Sequence, residues 1–130
     1  MPLADALGEV QVDLNIIAQI RLLESIRPGV LGQLVDVFER TATTSLARIR
    51  ESVLENDLEQ LRLTLHSLKG TAGSLGARRL SAIACVFEAE VQTPGTAPVG
   101  PRLNALAEQL EQEFLQVFPQ LQELGRATRP

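Results

Sequence analysis

The sequence has few of the residues on which many functional sites are built. Its 130 residues include no Trp or Tyr, one Cys and one His, and its net charge is −4. Few aromatic rings and no excess of positive charge argue against a nucleic-acid partner. A single cysteine excludes an intramolecular disulfide or a cysteine cluster for a metal. There is no signal-peptide pattern and no apolar run long enough to cross a bilayer, so we expect a cytoplasmic protein without membrane contact.

Apolar residues at spacings of three and four dominate the chain and predict helices. The predicted helices run from about Asp13 to Ile26, from Val30 to Glu55, from Asn56 or Asp57 to Gly76, directly onward to about Val91, and from Arg102 to Leu124. Asn56 or Asp57 is a suitable N-cap, and Gly76 a suitable residue just after a helix end. No segment is typical of a strand. The pattern predicts an all-α fold, an up-down-up-down four-helix bundle with an additional short N-terminal helix.

The same pattern divides the chain into three parts. Residues 1–29 form an N-terminal segment whose short helix packs on the bundle, residues 30–124 form the bundle, and residues 125–130 form a frayed tail. Pro and Gly between residues 93 and 101 predict a loop. Pro119 is expected to shorten or bend the last helix.

The only His and the only Lys lie three residues apart, at His66 and Lys69. Residues at this spacing share one face of a helix. His66 lies about 100° around the helix from Leu65, which belongs to the apolar stripe, so we expect the imidazole to face solvent. A neutral imidazole is a competent nucleophile near pH 7 and can form covalent intermediates.

Two glycines, Gly70 and Gly73, follow His66 on the same face. Glycine within a helix costs about 1 kcal/mol relative to alanine, so the pair requires an explanation. One explanation is access, since a docking protein could bring its backbone close to His66. The other is close packing against a neighbouring helix or a loosened helix end.

Positive charge is concentrated around His66. No acidic residue occurs between Glu59 and Glu88, whereas Arg62, Lys69, Arg78 and Arg79 all lie in that interval. A basic field would favour a negatively charged group on the ring and attract an acidic partner surface. Chance clustering on a solvated face is the alternative.

Other chemistry finds little support in the sequence. There is no nucleotide-binding glycine loop and no HExxH motif. Cys85 could pair with His66 in a metal or catalytic site, but its apolar neighbours favour the role of a small buried hydrophobic residue.

The segment HSLKGTAGSLGA, residues 66–77, resembles the signature of histidine-containing phosphotransfer (HPt) domains. The resemblance implies that His66 accepts a phosphoryl group from an aspartate of a receiver domain and passes it to another receiver aspartate. It implies that Lys69 supports the phosphoryl group and that Gly70 leaves room for docking. Such domains lack autokinase activity and do not bind ATP, and the Mg²⁺ used in transfer belongs to the receiver, so no cofactor or metal is expected here.

The expected partners are therefore receiver domains of response regulators or of a hybrid sensor kinase, and the chain itself is either a free protein or a domain of such a kinase. The expected docking residues are Arg62, Leu63, Gly70, Gly73, Arg78 and Arg79. The alternative is a bundle that binds a partner without phosphorylation, through exposed apolar Leu63 together with Leu3, Ala6 and Leu7 near the N-terminus. The sequence leaves the oligomeric state open.

Overall fold

A computed structural model describes residues 3–92 and 100–127. Within them the chain forms six α-helices and one short 3₁₀ helix. The α-helices are α1 (Leu3–Leu7), α2 (Leu14–Arg21), α3 (Val30–Glu55), α4 (Leu58–Ser74), α5 (Arg78–Gln92) and α6 (Gly100–Ala127), and the 3₁₀ helix is Leu22–Ser25. None of the described helices is long and apolar enough to cross a membrane.

Helices α3 to α6 form the predicted four-helix bundle. Each packs against the next, and α6 returns to pack against α3. The order is antiparallel: Arg50 near the end of α3 pairs with Glu111 of α6, whereas Gly32 at the start of α3 meets Gly125 near the end of α6. Helix α6 therefore lies diagonally across the bundle from α4. The described residues include no strand, and the fold class predicted from the sequence is confirmed.

Aliphatic side chains and three phenylalanines fill the core. Leu61, Leu65 and Leu68 of α4 are fully buried, as are Ile83 and Phe87 of α5. These residues recur at spacings of three and four, so each helix directs one stripe inward. Burial of the stripe fixes the rotation of α4 about its axis, and this rotation determines which residues it presents to solvent.

The N-terminal segment is more elaborate than the single helix expected from Asp13 to Ile26. Asp13 caps α2 by accepting a hydrogen bond from the backbone N–H of Asn15, but regular α-helix ends at Arg21. Helix α1 was not predicted, because five residues are too few to show a period. It packs on α5 with Ala6 fully buried. The suggestion that Ala6 offers an exposed contact is therefore wrong.

The last helix also extends beyond its predicted ends. It begins at Gly100 and continues through Pro119 to Ala127, so residues 125–127 are helical rather than frayed. The absence of a side chain at Gly125 lets α6 approach the backbone of Gly32, and this packing holds the last turn in place. Most of the predicted loop at 93–101, and the tail from residue 128, lie outside the described residues.

Candidate functional site

Helix α4 presents His66 to solvent as predicted. The helix is capped by Asp57, whose side chain accepts a hydrogen bond from the backbone N–H of Gln60. With Leu65 and Leu68 buried, the next residue along the chain from Leu65 points away from the core. The His66 side chain is 67% exposed, so an incoming group can reach it.

A buried carboxylate from the neighbouring helix holds both His66 and Lys69. Glu88 of α5 accepts a hydrogen bond at Oε2 from Nδ1 of His66, at 2.8 Å, and at Oε1 from Nζ of Lys69, at 2.7 Å. Its side chain is only 7% exposed. One carboxylate therefore positions the ring and the ammonium group together.

The contact with Glu88 determines which ring nitrogen is available for chemistry. A carboxylate oxygen only accepts hydrogen bonds, so Nδ1 of His66 carries the proton that it donates. In the neutral ring the lone pair then belongs to Nε2, on the side away from Glu88. This arrangement leaves a nucleophilic nitrogen at the exposed edge of the imidazole.

Hydrogen bonds from Lys69 and His66 keep Glu88 ionised in spite of its burial. Burial acts to raise the pKa of Glu88, but hydrogen bonds from Lys69 and His66 outweigh it and lower the pKa below its usual value. The hydrogen bond to Glu88 also raises the pKa of Lys69. At neutral pH the site therefore contains a carboxylate and an ammonium group.

The two glycines beside His66 differ in their surroundings. A Cβ atom at Gly70 would meet nothing within 4 Å, whereas one at Gly73 would lie 3.4 Å from Oγ of Ser81 on α5. Packing within the domain therefore does not require a glycine at position 70. This favours the explanation that Gly70 gives a docking protein access to His66. Gly73 makes an ordinary contact with α5, so close packing contributes there.

A tight turn between α4 and α5 brings Glu88 to the level of His66. Gly76 adopts a left-handed conformation with φ of 82°, and the N–H of Ala77 donates to the carbonyl of Ala72 at 2.9 Å. This pattern is a Schellman motif, which ends α4 and reverses the chain. Ser81 then donates a hydrogen bond to the carbonyl of Lys69, at 2.8 Å, and ties the two helices together.

The predicted basic field is wrong, because acidic residues from other parts of the fold neutralise it. All four cations in the interval are paired: Arg62 with Glu59, Lys69 with Glu88, Arg78 with Glu9 and Asp13, and Arg79 with Glu113. The interval itself contains no acid, but Glu59 at the start of α4 and acids of the N-terminal segment, α5 and α6 supply the partners. A local excess of positive charge therefore does not distinguish this face.

The structure gathers only some of the predicted docking residues around His66. Leu63, 49% exposed, and Arg62 precede His66 by about one turn of α4, and Gly70 follows it by one turn. In contrast, Arg79 donates a hydrogen bond to the carbonyl of Glu9 and pairs with a residue of α6. Arg79 thus contacts a different part of the molecule.

A groove runs from the candidate site toward the N-terminal segment, along the seam between α4 and α5. This α4–α5 groove has a volume of about 360 Å³ and a mainly apolar lining. It is lined by Glu9, Asp13, Ile16, Lys69, Gly73, Gly76, Arg78, Ser81, Ala82 and Cys85. Cys85 was expected to be buried but is partly exposed, because it lies at the edge of the α5 core stripe and faces this groove.

Sequence reasoning missed Glu88, the residue that holds the site together. Its signal was a glutamate within the apolar stripe of α5, one residue after the buried Phe87. A charged residue in such a position is rarely buried without a partner. Its partners could not be named, because they lie on another helix. In the described part of the chain, no group of three or more His, Cys, Asp or Glu residues could hold a metal ion.

Comparisons with known proteins agree with the geometry. A family model described as "Hpt domain" matches residues 33–113. The structure is similar to that of histidine-containing phosphotransfer protein B (HptB) from Pseudomonas aeruginosa PAO1, with 25% identity over 92% of this chain and 97% of that chain and a TM-score of 0.77. A candidate histidine-containing phosphotransfer protein from rice shares the fold, with a TM-score of 0.71, 17% identity, and coverage of 97% of this chain and 89% of that chain. A search of curated proteins gave no significant match.

Proposed function

This chain belongs to the Hpt domain family and has a histidine phosphotransfer role in two-component phosphorelays, and we propose that His66 is the residue that carries the phosphoryl group. The observation that supports this choice is the exposed imidazole whose Nδ1 is held by a buried carboxylate, which leaves Nε2 open to a partner. As His66 is the only histidine of the chain, no other residue offers an imidazole.

The transfer that we propose forms one bond and breaks one. The lone pair on Nε2 of His66 attacks the phosphorus of an aspartyl phosphate on a receiver domain. The bond between phosphorus and the aspartyl oxygen breaks, and the aspartate leaves as a carboxylate. The ring, still protonated at Nδ1, now carries positive charge next to the carboxylate of Glu88. The reverse step delivers the phosphoryl group to the aspartate of a second receiver.

Glu88 contributes in two ways to this proposal. It fixes the ring so that Nε2 points outward, which reduces the orientational freedom lost in the transition state. It also stabilises the positive charge that develops on the imidazole as the new bond forms. The contribution is electrostatic and positional, as phosphoryl transfer mainly requires.

Lys69 has two successive roles in the same proposal. Before transfer it compensates the charge of Glu88, at a distance of 2.7 Å. Once the phosphoryl group is on Nε2, the flexible ammonium group can exchange its hydrogen bond to Glu88 for one to a phosphoryl oxygen. The open space beside Gly70 accommodates the receiver surface during both steps. A cytoplasmic location stays a prediction.

Mass spectrometry of the intact protein tests the assignment of His66. The chain is incubated with a phosphorylated receiver domain and kept under basic conditions. We expect the mass to increase by one phosphoryl group in the wild type and not in His66→Gln. Glu90→Ala, whose carboxylate pairs with Arg102 and not with the site, serves as a folded control that keeps the imidazole and both of its partners.

Persistence of the acid-labile phosphoryl group in His66→Gln would overturn the assignment. If no receiver labels the wild type and pull-down of a partner is unaffected by His66→Gln, the alternative of a bundle that binds without phosphorylation is favoured. Circular dichroism of the His66→Gln variant shows whether its helicity is intact, so that loss of labelling can be attributed to the missing ring.

A further inference from the structure

We propose that the α4–α5 groove receives an apolar side chain of the docked receiver domain, so that the N-terminal segment helps to select the partner. This inference rests on the proposed function of His66. The groove and the candidate site share Lys69 and are therefore continuous.

The size of a protein interface brings the groove under any receiver that reaches His66. A stable interface covers about 800 Å² of each partner, which corresponds to a disc with a radius of roughly 16 Å. Gly73 lies seven residues after His66, about 10 Å along the helix axis. Both residues are on the flank of α4 that faces α5. A receiver centred on Nε2 of His66 therefore covers the near end of the groove.

The chemistry of the lining favours an apolar occupant over an anionic one. Ile16, Ala82 and Cys85 provide hydrocarbon and sulfur surface between the two helices. At the far end a single cation, Arg78, pairs with two carboxylates, Glu9 and Asp13, so this end carries no excess of positive charge. An anion would find no unpaired cation there, whereas an apolar side chain would lose contact with water along its length.

The wall formed by the N-terminal segment is fixed before any partner arrives. The N–H of Asp13 donates to the carbonyl of Gly76 at 2.8 Å, and the N–H of Arg78 donates to the carbonyl of Gln11 at 3.1 Å. Together with the ion pair between Arg78 and Asp13, these bonds attach the segment to the turn between α4 and α5. A groove with preformed walls binds with little loss of conformational entropy.

The family match begins at residue 33, whereas Glu9, Asp13 and Ile16 precede it. One wall of the groove is therefore built by a part of the chain outside the match. The surface immediately around His66 lies within the match. We infer that the N-terminal wall adds selectivity among receivers, whereas the surface around His66 supports the transfer itself.

The single cysteine allows the groove to be filled in the folded protein. Cys85 is converted to a mixed disulfide with a benzyl methanethiosulfonate reagent, and a methyl reagent provides a matched adduct of smaller size. The excess reagent is removed before a receiver is added. A panel of receivers is phosphorylated with phosphoramidate, and the receiver that transfers its phosphoryl group to this chain fastest is used. Intact mass verifies that one adduct forms.

We expect the benzyl adduct to raise the receiver concentration for half-maximal transfer about tenfold, the methyl adduct to have a smaller effect, and dithiothreitol to reverse both. Direct labelling of His66 by phosphoramidate, without a receiver, should be unchanged by either adduct. If phosphoramidate labels His66 equally but transfer from the receiver is unaffected, the inference about the groove fails while the proposed function stands. If His66 is not labelled by any donor, the proposed function fails first.

A genetic version of the experiment does not depend on the reactivity of Cys85. Ala82→Phe fills the groove from α5, and Ala105→Phe makes the same change at an exposed position of α6, away from the site. We expect only Ala82→Phe to weaken transfer from the receiver. Equal transfer by the two variants would overturn the inference. A second result would also overturn it. If the wild type forms a dimer that Ala82→Phe disrupts without changing transfer, the groove is the contact with a second copy of the chain.

Discussion

At the scale of single residues, the site consists of one carboxylate that accepts hydrogen bonds from two side chains. Glu88 accepts one hydrogen bond at each oxygen, so neither oxygen is left without a partner. A buried carboxylate with one partner removed would be costly, which is why the three side chains should be regarded as one unit. Substitutions at any of them are therefore expected to affect the others.

Replacing Glu88 by alanine should release the ring of His66. Without an acceptor at Nδ1, both neutral tautomers become populated, and we expect transfer to slow by roughly 10- to 100-fold, as for other partners that orient a functional histidine. The measurement combines the rate of transfer with the ¹⁵N chemical shifts of the imidazole, which come from a single histidine.

The matched control for this prediction is Glu90→Ala. Glu90 lies two residues further along α5 and pairs with Arg102 at the surface. The Glu90→Ala variant should leave both the tautomer of His66 and the transfer rate unchanged. A single protonated Nδ1 in Glu88→Ala would show that another group orients the ring.

Gly70→Ala should separate stability from activity. The new methyl group meets no atom within 4 Å, and alanine is favoured over glycine in a helix by about 0.5–1 kcal/mol. We expect the free energy of unfolding to rise by that amount, measured with urea, while transfer from a receiver slows. An increase in stability without any change in transfer would remove Gly70 from the docking surface.

At the scale of helices, the sequence predicted most of what local pattern determines. The bounds of α3 were correct at both ends, and Gly76 follows the end of α4 as expected. Of the two N-caps predicted for α4, Asn56 or Asp57, the structure uses Asp57. These features depend on residues a few positions apart. The contact between His66 and Glu88 spans 22 residues, and neither helix alone contains the information that pairs them.

The same reason explains why the charge prediction was wrong. The acids that pair with Arg78 come from the N-terminal segment, more than 60 residues earlier in the sequence. The order of residues along the chain shows an interval with basic residues only, whereas in the folded protein each of these residues forms an ion pair with an acidic residue. Pairing between distant elements follows from topology and could not be derived from spacing.

The turn between α4 and α5 should be sensitive to a methyl group at Gly76. Alanine in the left-handed conformation costs about 1–2 kcal/mol, and its Cβ atom would also lie 3.0 Å from the carbonyl oxygen of Asp13. We expect Gly76→Ala to lower the free energy of unfolding by more than 2 kcal/mol and to displace the N-terminal segment. Urea unfolding measures the loss of stability, and amide hydrogen exchange of residues 11–17 reports the displacement.

Gly29→Ala provides a control with the same backbone conformation. Gly29 also has φ of 82°, but a Cβ atom there meets nothing within 4 Å. Gly29→Ala should lose only the stability that the left-handed conformation costs an alanine. Amide hydrogen exchange of residues 11–17 should not become faster. Equal losses in the two variants would mean that the contact with Asp13 contributes nothing.

At the scale of the whole molecule, two buried glutamates make opposite contributions to the pH dependence of stability. Burial raises the pKa of Glu113, and the hydrogen bond from Gln11 and the charge of Arg79 only partly oppose it. The raised pKa means that this carboxyl group stabilises the fold when protonated. Its contribution is present below the usual value of 4.5 and is lost as the pH rises through the pKa in the folded state. Glu88 has a lowered pKa, so its carboxylate stabilises the fold above pH 4.5. This stabilisation is lost as the pH falls through the pKa of Glu88 in the folded state.

The variant Glu113→Gln should therefore flatten the decline in stability above pH 4.5. Glutamine keeps an oxygen that can accept the hydrogen bond from Gln11 and carries no charge that changes with pH. The check is urea unfolding followed by circular dichroism at several pH values between 4 and 8. Parallel profiles for the wild type and the variant would show that Glu113 makes no such contribution.

The exposure of the His66 ring on one face of the bundle has a kinetic consequence. Donor and acceptor receivers must approach the same nitrogen, and an interface of ordinary size around it leaves no room for both. The first receiver must dissociate before the second binds, so transfer through this chain follows a double-displacement scheme with parallel lines in reciprocal plots. A receiver that carries no phosphoryl group then competes with the other receiver for the surface around His66. The direction of net phosphoryl transfer depends on the relative concentrations of the two partners.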